Sequence, residues 1–312
     1  MTDTHNRRHF LECMAWAGTG ALWTVSGGLA SSVSLDQAAA AGTKHAGGVK
    51  PFTFVQVSDS HIGFKKDPNP DARVTFREAV ARINALPDKP AFILHTGDVS
   101  QLSRDAEFDD ADQILRETGV TAFHVPGEHD MLDEGGGKAF LARYGKDTKG
   151  DGWYSFDHSG VHFVGLITVK DLQAGGMGHL GADQIAWLKA DLAHRAASQP
   201  IVVFTHVPLW TVYQPWGWGV DDSDQALALL RRFGSVTVLN GHIHQVLTKT
   251  EGAITFHTAR STAFPQPAPG TPGASPGPLK VPAEQLRSLL GVRTARIVRG
   301  REPLALVDTT LA

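Results

Sequence analysis

The sequence contains a single cysteine, Cys13, among its 312 residues. One cysteine cannot form an internal disulfide or a thiolate cluster, so a disulfide-stabilised scaffold and a cysteine-rich zinc site are excluded. Any metal site must therefore use imidazole and carboxylate ligands. The 15 histidines of the chain are numerous enough to supply such a site.

An excess of positive charge is also missing. The 29 lysines and arginines are balanced by 32 acidic residues, which gives a formal net charge of -3. A scaffold that holds nucleic acid through its phosphates needs a basic surface, so we expect no nucleic acid as a partner of that kind. Hydrophobic residues make up 42% of the chain and charged residues 20%, as is typical of a globular protein with a full core.

Long hydrophobic runs are scarce, and the N-terminal one is interrupted by glycines and hydroxyl residues. Arg7 and Arg8 precede this mildly apolar stretch, residues 13–30, and the alanine run 38–41 follows it. The stretch is too short and too polar for a spanning helix of about 20 apolar residues, so we expect no stable membrane anchor. The alternative interpretation is a surface helix that happens to follow an arginine pair.

The order of these features resembles a twin-arginine (Tat) export signal, although Asn6 and Glu12 depart from its usual flanks. The resemblance implies that residues 1–41 form a signal peptide and that the Tat translocase is a partner during export. It also implies a periplasmic or secreted protein. Cleavage near residue 41 would remove Cys13.

Residues 50–312 show short β-branched and aromatic runs alternating with segments of helical period, which indicates an α/β fold in one domain. The predicted strands are 52–58, 91–95, 121–125, 161–167, 201–205 and 236–239, and the predicted helices are 71–86, 103–118 and 181–194. Residues 153–156 are expected to form a hairpin with strand 161–167. Residues 262–282 carry seven prolines and three glycines, which predicts a long loop within the domain. The segments 284–290, 294–298 and 303–307 are expected to complete an edge of the same domain.

Acidic and imidazole side chains follow five of the six predicted strands. They are Asp59 and His61, then Asp98, then Glu128 with His129 and Asp130, then His206, and finally His242 with His244. Open α/β sheets bind ligands at the carboxyl ends of their strands, so we expect these side chains to converge. An isolated Asp-x-His is commonly an exposed turn, and a His-x-His is as often a hairpin face as a ligand pair. The ordered set favours a dinuclear metal site.

The spacing within each cluster suggests how the ligands would be presented. Asp59 and His61 are expected at alternating positions of an extended segment, and so are His242 and His244. Asp98 could bridge two metals about 3.5 to 4 Å apart. Nitrogen and oxygen ligands without thiolate favour manganese, zinc or iron. Glycines 97, 127 and 241 precede three of the clusters and are expected to let the backbone turn sharply.

The ordered motifs D-x-H, G-D, G-E-H-D, H and G-H-x-H resemble the signature of the calcineurin-like metallophosphoesterases, and the resemblance covers residues 52–257. The run 178–192 is most similar to the branch that contains the class III cyclic-nucleotide phosphodiesterases. The resemblance implies a four-layer α/β/β/α metallophosphoesterase sandwich. It also implies a hydrolase of a small phosphate ester, in first place a phosphodiester, acting by in-line attack of a metal-bridging hydroxide.

The same resemblance implies a set of residue roles around two metal ions. Asp59, His61, Asp98 and His244 would bind the first ion, and Asp98, Glu128, His206 and His242 would bind the second. His129 would serve as general acid or transition-state stabiliser beside the scissile phosphate, and Asp130 would orient its ring.

Glu128 departs from the family pattern, which has asparagine at this position. With Asp59 and Asp98 it brings the ligand charge to -3, against -2 for the family. Two divalent ions would then leave the site at +1, whereas iron(III) with a divalent ion leaves +2. We therefore expect a mixed iron(III)/divalent pair. The alternatives are a glutamate turned away from the metals, and a weak or lost activity.

The alternative functions are a phosphomonoesterase, a lipid-linked diphosphate hydrolase, and a metal-binding protein with little catalysis because of Glu128. The loop 209–218 holds four large aromatic residues beside His206. It is interpreted either as a wall that stacks a substrate group or as a self-packed loop. His95, His124, His158, His162 and His179 are interpreted as core or surface imidazoles without a role at the site.

Overall fold

The computed structural model describes residues 21–26, 29–34, 51–170, 172, 175–298 and 301–312. The chain divides into two compact units, Met1–Gly48 and Val49–Ala312. In the first unit, strands β1 (Ala21–Ser26) and β2 (Leu29–Ser34) pair antiparallel. The arginine pair and the alanine run of the predicted export signal lie outside the described residues. No helix among the described residues is both long enough and apolar enough to cross a membrane.

The second unit contains two sheets. The first has five strands in the order β13-β12-β3-β4-β5. Their bounds are Phe52–Val57 for β3, Ile93–Thr96 for β4, Ala122–Val125 for β5, Gly291–Val298 for β12 and Arg301–Thr310 for β13. Strands β3, β4 and β5 are parallel, while β12 runs antiparallel to β3. The C-terminal segments therefore complete one edge of this sheet, as the sequence predicts.

The second sheet has six strands in the order β10-β11-β9-β8-β7-β6. Their bounds are Tyr154–His158 for β6, Val161–Gly165 for β7, Ile201–Thr205 for β8, Val236–Asn240 for β9, Thr248–Glu251 for β10 and Ile254–Thr258 for β11. Strands β6 and β7 form the predicted hairpin. Strands β7, β8, β9 and β11 are parallel neighbours.

Six α-helices lie in the described part of the second unit. They are α1 (Ala72–Asn84), α2 (Asp105–Arg116), α3 (Lys138–Tyr144), α4 (Ala182–Leu192), α5 (Ser223–Leu230) and α6 (Ala283–Leu289). Helix α1 begins where the Asp71 side chain accepts a hydrogen bond from the Arg73 amide. Residues 262–282 contain no helix or strand, which agrees with the predicted loop.

Alternation along β3 shows how the layers are arranged. Phe54 faces the second sheet and contacts Phe163 at a ring-centroid distance of 5.5 Å, while Val55 packs in a separate core with Phe76 and Phe108 of helices α1 and α2. Because side chains alternate across a strand, one sheet contributes to both cores. Helices α4 and α5 cover the second sheet through residues such as Leu188. The result is the predicted α/β/β/α sandwich.

Candidate metal centre

The carboxyl ends of β3, β4, β5, β8 and β9 bring the seven candidate ligands together. Within each of several groups, the donor atoms lie within 4.8 Å of one another. These groups are Asp59–His61–His244, Glu128–His206–His242, Asp59–Asp98–His206 and His61–Asp98–His129. Side chains up to 185 residues apart in sequence thus converge on one site at the sheet edges.

One cluster is formed by Asp59, His61 and His244. The Nε2 atom of His244 lies 3.1 Å from Oδ1 of Asp59 and 3.4 Å from Nε2 of His61. All three side chains are almost fully buried. Two imidazole nitrogens and a carboxylate oxygen at these separations form a donor set suited to a transition-metal ion.

The second cluster is formed by Glu128, His206 and His242. The Glu128 carboxylate lies between the two rings, with Oε2 at 2.8 Å from Nε2 of His206 and Oε1 at 3.0 Å from Nδ1 of His242. Glu128 therefore points into the centre, and the structure does not show the outward orientation considered as one alternative.

Asp98 lies between the two clusters. Its Oδ2 atom is 3.4 Å from Nε2 of His61 and 3.4 Å from Nε2 of His206, so one carboxylate oxygen faces an imidazole of each cluster. Its Oδ1 atom accepts a hydrogen bond from the His129 amide at 2.9 Å. This placement is the one that a bridging ligand between two ions requires.

Backbone carbonyls fix the orientation of two of the imidazoles. Nδ1 of His206 donates to the Thr96 carbonyl at 2.7 Å, and Nδ1 of His244 donates to the Phe264 carbonyl at 2.6 Å. A carbonyl can only accept, so each ring carries its proton on Nδ1 and presents Nε2 to the centre. Hydrogen bonds of this kind set the tautomer of metal-binding histidines and increase their basicity.

Five of the seven candidate ligands have a left-handed backbone. The φ angles are 52° for Asp59, 42° for His61, 53° for Asp98, 67° for His242 and 57° for His244. The expected extended segments are therefore wrong, because the chain turns at each ligand. A positive φ costs a non-glycine residue about 1 kcal/mol or more, and such residues concentrate at functional sites.

The three glycines before the clusters act in two different ways. Only Gly97, with a φ of 91°, uses the conformational freedom that we predicted for all three. Gly127 and Gly241 are instead sites of close approach. A Cβ atom on Gly127 would overlap the Asp98 carboxylate, and one on Gly241 would overlap Ser58 and lie 2.6 Å from Oδ2 of Asp59.

The hydrogen bonds around His129 differ from the expected role of Asp130. Nδ1 of His129 lies 2.8 Å from the Gln101 carbonyl, so this carbonyl orients the ring. The Asp130 carboxylate instead accepts from the amides of Val99, Ser100 and Gly127 at 2.8 to 3.1 Å. Asp130 therefore holds the β4 and β5 loops together and positions Glu128 and His129 through the backbone. Gln101 has no motif that could have identified it from sequence.

Mutual electrostatics keep the carboxylates of the centre ionised. Burial alone would raise the pKa of Glu128, but His242 and His206 hold it well below its ordinary range. Burial lowers the pKa of His206, yet Asp98 and Glu128 raise it well above its ordinary value. Burial lowers the pKa of His61 to about 3, which keeps its ring neutral. Ionised carboxylates and neutral imidazoles are the forms that bind metal ions, so the carboxylates and His61 are in the binding form, whereas His206 would release a proton on binding an ion.

Several donor atoms of the centre are buried without a hydrogen-bond partner among the described residues. Oδ2 of Asp59 is one of them, and Oε2 of Glu128 and Nε2 of His206 have no partner outside the centre, where they lie 2.8 Å from each other. Buried polar atoms nearly always have a partner, and leaving one unpaired costs about 1 to 3 kcal/mol. Unpaired oxygen and nitrogen atoms that face the same space fit bound cations, so the residues present suit a pair of metal ions.

Two cavities open on the centre, and both are lined by Glu128, His129, His242, Gly175 and Trp216. The first cavity has a volume of about 370 Å³ and also contains Lys66, Gln101, Phe64, Phe264, Gln266 and the segment 276–278. The second cavity has a volume of about 540 Å³ and also contains Met131, Leu132, Leu141, Val169 and Leu172. The sequence indicated only one wall of these cavities, the loop 209–218 that carries Trp216.

The aromatic loop 209–218 combines both interpretations. Trp218 is 1% exposed and packs against Trp216 at a centroid distance of 4.9 Å. Trp216 is only half-buried and lines both cavities. Trp210 instead packs near Phe256 at 6.3 Å. The loop is largely self-packed, and two of its aromatic side chains reach the centre, because Trp218 also lines the first cavity with its ring centroid 6.5 Å from that of His242.

Comparisons with known proteins agree with this geometry. A family model described as calcineurin-like phosphoesterase matches residues 52–246. The glycerophosphodiester phosphodiesterase GpdQ of Enterobacter lignolyticus is 26% identical over 202 residues, which are 61% of this chain and 69% of that protein. A probable cyclic nucleotide phosphodiesterase of Synechococcus is 27% identical over 234 residues, which are 71% of this chain and 86% of that protein.

Solved structures show the same fold at low sequence identity. A dimetal phosphatase from Danio rerio superposes with a TM-score of 0.56 at 16% identity, over 84% of this chain and 99% of that one. A purple acid phosphatase from yellow lupin seeds gives a TM-score of 0.59 at 13% identity, over 86% of this chain and 52% of that one. The family model spans more than half of the chain and contains all seven candidate ligands. The chain therefore belongs to the calcineurin-like phosphoesterase family and is a metal-dependent phosphoric ester hydrolase with a site for two metal ions.

Proposed function

We propose that this enzyme hydrolyses a phosphodiester. The observation that carries the proposal is the pair of cavities that meet at the metal centre. A phosphodiester has two organic groups, and each cavity offers space for one, whereas a phosphomonoester would leave one cavity empty. The relatives named as phosphodiesterases support the same substrate class.

The chain's own residues would bind and orient the ester. Bound metal ions would supply Lewis acidity toward the phosphate oxygens and lower the pKa of a bound water. Asp98 lies between the clusters and would fix the position of the two ion sites relative to each other. The Gln101 carbonyl would hold the His129 ring at the edge of both cavities. With its Nδ1 atom occupied by Gln101, His129 would use Nε2 to donate a proton to the leaving oxygen or a hydrogen bond to the phosphate.

Purified metal-loaded protein assayed on bis-p-nitrophenyl phosphate and p-nitrophenyl phosphate tests the proposal. We expect the diester to be hydrolysed with the higher kcat/KM. A preference for the monoester would favour a phosphomonoesterase. If metal is bound but neither compound is hydrolysed, the result would favour a metal-binding protein with little catalysis. If such a protein cleaves a lipid-linked diphosphate, it would instead be a diphosphate hydrolase.

We further propose that Glu128, at the second ion site, favours the binding of iron(III) together with a divalent ion at the two-metal centre. Glu128 adds a third carboxylate to the centre and contacts both His206 and His242. The additional negative charge compensates a trivalent ion better than the neutral oxygen of an asparagine would. Elemental analysis of Glu128→Asn is expected to show a lower iron-to-divalent ratio than the wild type. Glu128→Gln removes the charge but keeps the length of the side chain, so it separates the effect of the charge from the effect of the length. Equal iron content in the wild type and both variants would refute this proposal.

We also propose export by the twin-arginine route to the periplasm. Its support is the sequence order of Arg7, Arg8, a weakly apolar stretch and an alanine run. Fractionation of bacteria that express the full chain tests it. The wild type is expected in the periplasm, and the Arg7→Lys/Arg8→Lys double variant is expected to remain in the cytoplasm. Equal distribution of the two would contradict the proposal.

A further inference from the structure

We propose that Gln266 is a positioning residue of the metal centre, which holds the backbone of the ligand His242 and one wall of the first cavity at the same time. Gln266 is half-buried and lies in the proline-rich loop, residues 262–282. Its Nε2 atom donates a hydrogen bond to the His242 carbonyl at 2.7 Å, and its Oε1 atom accepts one from the Gly277 amide at 2.8 Å. A backbone carbonyl only accepts and a backbone amide only donates, so this orientation of the side-chain amide satisfies both partners and the reversed one satisfies neither.

His242 lies in a tight turn that is costly for a residue with a side chain. Its φ is 67°, and the turn is closed by a hydrogen bond from the Ile243 amide to the Gly241 carbonyl at 2.7 Å. Three-residue turns with a positive φ at the central residue are rare and strained, and such strain persists only where the neighbouring structure holds it. Here the His242 amide donates to Oδ1 of Asp59 at 3.1 Å, and the His242 carbonyl accepts from Gln266. The peptide groups on both sides of the strained residue are thus held in place.

The position of the His242 ring depends on this backbone. Its Nδ1 atom lies 3.0 Å from Oε1 of Glu128, within the second cluster. A shift of the His242 peptide would therefore displace one ligand of that cluster. The first cluster has a different support, since the Phe264 carbonyl orients His244. Loss of the Gln266 side chain should therefore weaken the second ion site more than the first.

The other end of the Gln266 side chain fixes a wall of the first cavity. The segment 276–278 lines this cavity together with Gln266. Both prolines of the segment lack a backbone N–H, so Gly277 supplies its one backbone donor. The Leu279 amide, which donates to the Pro265 carbonyl at 2.8 Å, holds the chain just beyond the segment. Without Oε1 of Gln266, we expect the wall to move away from an organic group bound in the cavity.

Gln266→Met keeps the length of the side chain and removes both hydrogen bonds. We expect the affinity of the full-length protein for one of its two metal ions to fall by about tenfold, as is typical when a hydrogen-bond partner behind a metal ligand is lost. The affinity for the other ion should change much less. Competition with a metal chelator measures both affinities. Unchanged affinity for both ions would overturn the role at His242, and so would an equal loss at both, because it would indicate a general disturbance of the centre.

Gln245→Met is the matched control for anchoring of the loop. Nε2 of Gln245 donates to the carbonyls of Gln266 and Pro267 at 3.0 and 2.7 Å, so this side chain holds the same loop through different acceptors. We expect both metal affinities of Gln245→Met to stay close to those of the wild type. If this variant weakened one ion as much as Gln266→Met does, anchoring of the loop would explain the effect and the proposal would fail.

Kinetics at saturating metal test the role of the wall. For the p-nitrophenyl ester that the enzyme hydrolyses, we expect Gln266→Met to raise KM by about fivefold with little change in kcat, because the wall contacts the organic group and not the reacting atoms. Gln245→Met should change neither constant. An unchanged KM in Gln266→Met would overturn the role of the wall.

The metal measurements do not depend on turnover, so this proposal and the proposed function can fail separately. If neither p-nitrophenyl ester is hydrolysed, the proposed function fails, but the metal affinities still decide whether Gln266 holds His242. Calorimetric titration of the metal-loaded protein with phenyl phosphate then replaces KM, and an equal Kd in the wild type and Gln266→Met would overturn the role of the wall.

Discussion

Two groups of histidines and carboxylates in this domain show opposite behaviour. In the His162 network, both ring nitrogens have a carboxylate partner: Nε2 lies 2.7 Å from Asp191, and Nδ1 lies 3.0 Å from Asp157. These three residues lie on β7, α4 and β6, which are regular elements. Its polar groups are paired within the protein, so the network has the features of a structural support.

The metal centre contains the same types of side chain in a different state. Oδ2 of Asp59 has no hydrogen-bond partner among the described residues, and Oε2 of Glu128 and Nε2 of His206 have partners only within the centre. Five of the candidate ligands have a positive φ. Such an arrangement persists only where the surrounding fold holds it, here through the two sheets. The comparison indicates that pairing and backbone conformation, more than residue type, distinguish a binding site from a structural network.

The same substitution in each group should separate their roles most strongly. Asp98→Asn removes the charge that faces both clusters, and asparagine tolerates the left-handed backbone at this position. We expect kcat/KM to fall by about 10³-fold or more, because several kcal/mol of transition-state stabilisation depend on the metal ions. Steady-state kinetics and elemental analysis measure the effect.

Asp191→Asn is the matched change in the His162 network. We expect it to leave kcat/KM within about twofold of the wild type, since Asp191 contacts His162 and Ser155 and does not line either cavity. If the two variants lost activity equally, the distinction between centre and support would be wrong.

His129→Ala should have the next largest effect. His129 faces both cavities and is oriented by the Gln101 carbonyl, but it is not one of the seven proposed ligands. Loss of a proton donor at the leaving oxygen is expected to lower kcat by about 10²- to 10⁴-fold while the metal content stays unchanged. Kinetics and elemental analysis on the same preparation test this prediction. Simultaneous loss of metal would make His129 a ligand and contradict our division of roles.

The sequence was sufficient to predict much of the fold and the composition of the site. Short runs of β-branched and aromatic residues predict the strands because the central strands, such as β7, β8 and β9, are buried on both faces. The boundaries agree within about two residues at β3, β5 and β8. Acidic and histidine residues at strand ends predict that the ligands converge, because parallel strands end at the same edge.

Features that depend on tertiary contacts could not be predicted. The left-handed φ of His61 has no local signature, since histidine rarely adopts it without a constraint from neighbouring elements. The Phe264 carbonyl that orients His244 lies in the proline-rich loop, and no pattern in that loop indicates the contact. Asp130 matches the family motif, yet only the hydrogen bonds show that it binds backbone amides instead of the His129 ring.

A smaller effect is expected when a methyl group is added beside the centre. Gly127 has an ordinary φ of -100°, but a Cβ atom there would overlap the Asp98 carboxylate. Gly127→Ala should displace Asp98 and lower metal affinity by about 10- to 100-fold, as changes beside metal ligands do. Competition with a metal chelator measures the affinity. Gly234→Ala is the control, because its Cβ would meet only the Ala197 carbonyl at 3.8 Å, and equal affinity in both variants would remove close packing as the reason for Gly127.

The smallest effect concerns the pH dependence of the His162 network. Burial raises the pKa of Asp191, but hydrogen bonds from His162 and Ser155 lower it below its ordinary value of 3.8. An acid whose pKa is lowered by folding stabilises the folded state above its unfolded pKa, and this contribution is lost as the pH falls through the folded pKa. Asp191→Asn should therefore reduce the free energy of unfolding by about 1 to 2 kcal/mol at pH 6 and by less at pH 3. Urea unfolding of the metal-free protein at both pH values measures the difference, with the exposed Asp88→Asn as a control that should match the wild type at each pH. A difference as large at pH 3 as at pH 6 would mean that Asp191 stabilises the fold through packing, and the contrast with the metal centre would then rest on backbone strain and unpaired atoms alone.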